Sequence, residues 1–334
     1  MKTHKFLTKV AIFLASTMTL ATAGKIIDHK HAVLKSIPLT AIQKAKDSLH
    51  IAYGHTSHGS QLLSGNGWEE EGINKIRGVK GVFNTSTSAT EGALHLNDQG
   101  MNGDAGVEGP SGRLQFVAET RTFLGSPNAK GRGSRNPAYN VVMWSWCGQV
   151  GFHSDEVFSH YLPGMDSLEK EYPNIQFVYM TGHLEGTGTQ AVLHKRNEEI
   201  RAYARTHNKW LFDFADLESF DPDGNAYLAK MANDNADYDS NGDGTLDANW
   251  AERWTAAHPT EVNQQIEAAH SQPLVGQIKT TAAWWMYAEL AGWNDAGIAS
   301  ASPRRSVAPN FVNTASRDAL GRMNHPLPAF LARP

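Results

Sequence analysis

The apolar positions of this chain come in short runs that stop at glycine, separated by stretches of helical period. "DSLHIAYGHTSHG" (47–59) reads as a strand closed by an abrupt turn. "AYNVVMWSWCGQV" (138–150), "IQFVYMTGHLEG" (175–186) and "KWLFDFADLESFDPDG" (209–224) read as three more strands, the last running into an acidic turn. Helical spacing falls over 113–125, 155–173 with a kink at Pro163, 191–208 and 278–293. Residues 66–135 are rich in Gly, Asn and Ser, and "LNDQGMNGDAGVEGPSG" within them predicts a long surface loop. Strands alternating with helices imply βαβ units, hence an α/β fold with three layers, α/β/α, and a mostly parallel sheet. Such sheets take ligands at the carboxyl ends of their strands. Three exits carry reactive side chains: "GHTSHGS", "WSWCGQ" and "TGHLEG".

The N-terminus follows a different logic. Lys2, Lys5 and Lys9 precede the apolar "VAIFLASTMTLA", and Ala21-Thr22-Ala23 supplies a cleavage signal. Residues 1–23 therefore predict a signal peptide and an exported, periplasmic or secreted, protein. No other run is long and apolar enough to suggest a membrane span. Removing the leader takes away three lysines and no acid, so the formal charge of -4 becomes -7 and nucleic acid is a poor candidate partner. The single cysteine, Cys147, excludes an intrachain disulfide, and its place in an apolar strand suggests a small core residue. The main domain is expected over 24–295 and a Pro/Ser/Ala-rich extension over 296–334.

Glu267 and His270 form an E-x-x-H pair just before the last helix, a spacing in which an acid can orient an imidazole. Together with the Gly54–Ser57 turn and Gly148-Gln149, this order of pieces resembles the SGNH/GDSL hydrolase superfamily over roughly residues 48–293. The turn fits an H-x-S-x-G pattern; Gln149 stands where that family has Asn, and Glu267 where it has Asp. The resemblance implies a flavodoxin-like hydrolase in which Ser57 attacks an ester, His270 is the base and Glu267 orients it. The oxyanion hole would combine the Ser57 N–H, a glycine N–H (Gly59 or Gly106, with Gly103 an alternative) and the Gln149 amide. His55, His58, Trp146 and His183 would line the substrate site. The substrate would be a small-molecule or polysaccharide ester, such as a sugar acetate, and no catalytic cofactor is required.

Alternatives stand beside each role. Ser57 is also a natural helix N-cap, Thr56 or Ser60 could be the nucleophile, and Gln149 could serve buried backbone. The acid could be Asp213 or Asp216. A non-catalytic carbohydrate-binding protein on the same fold is a second reading. His55, His58, His183 and His270 could instead ligate zinc. Separately, "DYDSNGDGTLDANW" (237–250) matches a calcium loop at Asp239, Asn241, Asp243, Thr245 and Asp247, making 234–252 a candidate insertion for structural Ca²⁺. The match fails at the twelfth position, Trp250, where Asp237 or Glu252 would have to supply the carboxylate.

Overall fold

A computed structural model describes residues 24–295. The stretches read as signal peptide and C-terminal extension lie outside the described residues. Seven strands form one all-parallel sheet: β1 (Ile26–Ile27), β2 (His50–Gly54), β3 (Thr85–Ser86), β4 (Leu94–Asn97), β5 (Val141–Trp144), β6 (Gln176–Met180) and β7 (Trp210–Phe212). Their order is β1-β7-β6-β5-β2-β4-β3. The central five strands have the doubly wound 2-1-3-4-5 arrangement, extended at each edge by a two-residue strand. The sheet is covered by α1 (Leu39–Ser48), α2 (Gly72–Arg77), α3 (Phe116–Leu124), α4 (Asp155–Phe158), α5 (Tyr161–Glu171), α6 (Val192–Thr206), α7 (Phe214–Ser219), α8 (Trp250–Ala257) and α9 (Pro273–Leu290). No helix among the described residues is long and apolar enough to cross a membrane.

The expected three-layer α/β architecture is present, and the differences from expectation are local. The region 66–135 contains more than the expected helix: Leu94–Asn97 pairs with β2 as an interior strand. Its short apolar alternation is stabilised by sheet neighbours, and His95 meets His50 ring to ring, Nδ1 to Nδ1, at 2.7 Å. The strand expected over 209–224 ends at Phe212. Asp213 then caps α7, accepting the Asp216 N–H at 3.2 Å. Pro163 does not kink a helix; it lies in the first turn of α5, where its missing N–H costs nothing. The final helix begins at Pro273, a favoured first position, five residues before the apolar stripe suggested.

Helix α9 is buried from Leu274 to Leu290 apart from Gln277, and α1, α2, α7 and α8 pack round it. Within that apolar helix Lys279 is fully buried and paired with the equally buried Glu218 of α7. Lys279 also donates to Gln61 Oε1, and its ammonium lies 3.6 Å from the centre of the Phe214 ring. Burial pulls the Lys279 pKa down to about 8, against the raising influence of Glu218. Glu218 uses its other oxygen to accept the Leu184 N–H at 2.6 Å, and Gln61 donates to the Ala269 carbonyl. One ion pair thus ties together the segments that bear His58, His183 and His270.

Removing one partner strands a buried charge, whereas removing both does not. Lys279→Met is expected to cost about 3–5 kcal/mol in chemical denaturation, and Lys279→Met with Glu218→Leu to restore most of that loss. A double variant no more stable than the single one would refute this account.

Candidate active site

In a doubly wound sheet the chain turns in opposite directions from the first central strand, leaving a crevice beyond the carboxyl ends there. Here the crevice lies between β2 and β5. The exit of β2 provides Thr56, Ser57 and His58; that of β5, Cys147 and Gly148; that of β6, His183 and Glu185. The two exits approach closely because Gly59 has no side chain. A Cβ there would stand 2.2 Å from Ser145 Oγ, and the Gly59 carbonyl accepts the Tyr53 hydroxyl at 2.9 Å. Asp234 joins from far along the chain, its N–H donating to the Leu184 carbonyl at 3.1 Å.

These placements form a relay. His58 Nδ1 lies 3.1 Å from Cys147 Sγ, and His58 Nε2 lies 2.9 Å from Asp234 Oδ2. Ser57 Oγ stands 3.5 Å from the same sulfur. The hydrogen bond from His58 lowers the Cys147 pKa to about 6, with smaller help from Ser57 and Thr56 and against the effect of burial. Burial disfavours charge on His58, but hydrogen bonds with Asp234 and Cys147 prevail and raise it to about 9. Between those limits the pair is thiolate and imidazolium. A thiol, an imidazole and a carboxylate within hydrogen-bond reach of one another are the groups from which an activated nucleophile is built. His58 is sandwiched against the His183 ring (centroids 3.7 Å apart, planes within 3°) and the His270 ring (4.6 Å, 18°).

The residues expected from sequence are only partly assembled. Ser57 is in the crevice and precedes a short 3₁₀ helix, without capping it through its side chain. His270 is exposed, with φ +60°, and meets the site through its stack on His58. Glu267 is exposed, and no hydrogen bond joins it to His270 or joins His270 to Ser57 among the described residues. The Ser57–His270–Glu267 triad is therefore not formed, because 267–272 is irregular and the three-residue spacing does not align the side chains.

The expected oxyanion donors also have other duties. The Gly106 N–H and the Gln149 amide donate to Asp104 Oδ1 at 2.8 and 3.0 Å, and Gln149 Oε1 accepts the Cys147 N–H at 3.0 Å. Gly59 provides close packing. Trp146 is buried against Phe158 and Tyr161. His55 pairs with Asp98 at 3.5 Å and with the Thr56 carbonyl. Thr56 donates to Asp104, and Ser60 donates to the Ser57 carbonyl at 2.6 Å. Asp213 is bound by Arg201, and Asp216 by His29.

Two clusters among the described residues gather three ligand-type atoms within 4.8 Å: His58, His183 and Asp234, and Asp28, His29 and Asp216. The first lacks His55 and His270 of the expected zinc set. Its two imidazoles are stacked face to face, so an ion in the plane of one ring lies out of the plane of the other, where no lone pair points. The acidic loop is a hairpin turn between β8 (Asp237–Tyr238) and β9 (Ala248–Asn249). Asp239 accepts N–H groups from Asn241, Gly242, Asp243 and Gly244, which hold its carboxyl below the usual range. Asp243 accepts the Thr245 N–H, and Asp247 accepts the Ser240 N–H. Asn249 caps α8, and Trp250, at the place of the missing twelfth-position carboxylate, is buried. The turn is closed by these hydrogen bonds, with Asp239 as their main acceptor.

Sequence reasoning did not bring Cys147 to His58 and did not single out Asp234. The thiol had a usable signal: it follows a parallel strand beside a glycine, as the Ser57 turn does. Asp234 had none, being 176 residues from the histidine it orients. Neither a known protein family, nor a curated protein, nor a solved structure matches this chain. What fold and site define together is a doubly wound α/β protein with a Cys–His–Asp relay at its switch point.

The relay has a pH signature. Alkylation of Cys147 by iodoacetamide is expected to rise through pH about 6, rather than near the ordinary thiol value of about 8.5. Asp234→Asn, which removes the charge holding His58 protonated, moves that midpoint upward. A wild-type midpoint at the ordinary value would show that the ion pair does not form.

Proposed function

We propose that the protein is a hydrolase that cleaves esters through an acyl-enzyme, with Cys147 as nucleophile, His58 as acid and base, and Asp234 as the residue that orients His58. The observation that supports this reading is the relay from Cys147 Sγ through both nitrogens of His58 to Asp234. The thiolate attacks the ester carbonyl carbon, forming a C–S bond. As the tetrahedral intermediate collapses, the C–O bond breaks and His58 gives its proton to the leaving alkoxide. Neutral His58 then takes a proton from water as the oxygen attacks the thioester, and the thiolate departs with the acid released. The signal-peptide reading puts this chemistry outside the cytoplasm.

A serine enzyme is the second reading, favoured by Ser57 Oγ standing 3.5 Å from Cys147 Sγ in the same crevice. Intact mass and peptide mapping after separate treatment with iodoacetamide and a fluorophosphonate distinguish the two. The expected result is one carbamidomethyl group on Cys147. Cys147→Ala and His58→Ala should each lower kcat/KM on p-nitrophenyl acetate by about 10³-fold or more, with the double variant no worse than the worse single. A fluorophosphonate adduct on Ser57, with turnover retained in Cys147→Ala, would transfer the nucleophile to the serine.

A further inference from the structure

The turn after β2 brings three hydroxyls to the crevice, those of Thr56, Ser57 and Ser60, and two of them have already given their protons away. Thr56 donates to Asp104, and Ser60 donates to the Ser57 carbonyl. A hydroxyl has one proton to give. Ser57 Oγ has a single hydrogen-bond partner among the described residues, Cys147 Sγ at 3.5 Å. Ser57 and Cys147 are both half-buried, so each keeps a surface that a small molecule can touch. With the sulfur ionised beside His58, the hydroxyl is the donor in their contact.

The amides nearest the thiol are committed elsewhere. The Cys147 N–H goes to Gln149 Oε1 at 3.0 Å, and the Gly106 N–H and the Gln149 amide go to Asp104. Each is held by a bond within the fold.

When a thiolate adds to an ester carbonyl, the C–S bond forms and the π pair moves onto the carbonyl oxygen. The sulfur loses its negative charge as the oxygen gains it. That oxygen is two bonds from the sulfur, and a donor serves it from about 2.7–3.1 Å. A hydroxyl 3.5 Å from Sγ reaches such a place by turning about its own Cα–Cβ bond. A compact oxyanion is a stronger acceptor than a diffuse sulfur, so the hydrogen bond strengthens as the barrier is climbed.

We propose that Ser57 is a catalytic residue, a hydrogen-bond donor that passes from the Cys147 sulfur to the oxyanion of the tetrahedral intermediate. Its proton stays on Oγ throughout, and the leaving alkoxide takes its proton from His58. This role rests on the proposed hydrolase, in which Cys147 is the nucleophile.

The test compares the mature wild type with Ser57→Ala at about pH 7.5, between the limits at which the Cys147–His58 pair loses its charges. On p-nitrophenyl acetate kcat/KM should fall about 10²–10³-fold, the value of one oxyanion donor. Alkylation of Cys147 by iodoacetamide, a displacement at saturated carbon that makes no oxyanion, should stay nearly unchanged. The wild type should also prefer p-nitrophenyl acetate to its thionoester, whose sulfur is a poorer acceptor, and Ser57→Ala should lose most of that preference. Circular dichroism melts establish that the variant is folded; if it is not, Ser57→Gly takes its place. Undiminished hydrolysis in the folded variant, a loss of alkylation parallel to that of hydrolysis, or an unchanged preference for the oxygen ester would overturn the donor role and leave the cysteine hydrolase standing. Turnover retained in Cys147→Ala would instead remove the cysteine hydrolase, and the donor role with it.

Discussion

The arrangement of the crevice depends on one buried charge pair, Lys279 with Glu218. An ammonium in the middle of an apolar helix is tolerable only with its carboxylate in place, and the remaining valences of both are used on the site's own loops. Through Gln61, the Leu184 N–H and the Ala269 carbonyl, the pair fixes three backbone segments at once. An apolar replacement could match its stability but has no directional bonds with which to hold the histidine loops in register.

Above that pair, the chemistry depends on proximity at the switch point. Because β2 and β5 are neighbours running the same way, the turn after one faces the turn after the other, and the bare Cα of Gly59 lets them approach closely. His58 then meets Cys147 on one side and Asp234 on the other. Asp104 has a matching role, collecting Thr56, the Gly106 N–H and the Gln149 amide beneath the thiol. The Gly106 N–H and the Gln149 amide, which sequence suggested as oxyanion donors, are instead engaged with Asp104 beside the Cys147 backbone. His270 keeps a left-handed backbone, uncommon outside glycine, while stacking on His58; that strain at the crevice rim marks a position whose geometry is imposed by its surroundings.

The parts legible in sequence were those set by local pattern. Strand runs at 50–54, 141–144, 176–180 and 210–212 and the helical spacing at 192–206 were readable because apolar period and glycine stops act over a few residues. The glycine-terminated exits also pointed to the end of the sheet at which His58, Cys147 and His183 gather. The strand at Leu94–Asn97 was not readable, since two leucines in a polar context acquire their extended form from β2. The E-x-x-H pair misled because a spacing orients side chains only on a regular element, and 267–272 is not one.

By itself, then, the sequence determined an α/β chain with alternating strands and helices, and reactive residues at the strand exits; these follow from side-chain periodicity and turn chemistry. Only the tertiary structure decided which of those residues meet. It joined Cys147, His58 and Asp234, separated Glu267 from His270, and engaged Gln149 and Gly106 with Asp104. The physical reason is that a catalytic contact is set to within a few tenths of an ångström by the packing of elements distant along the chain. Local preference does not encode that distance.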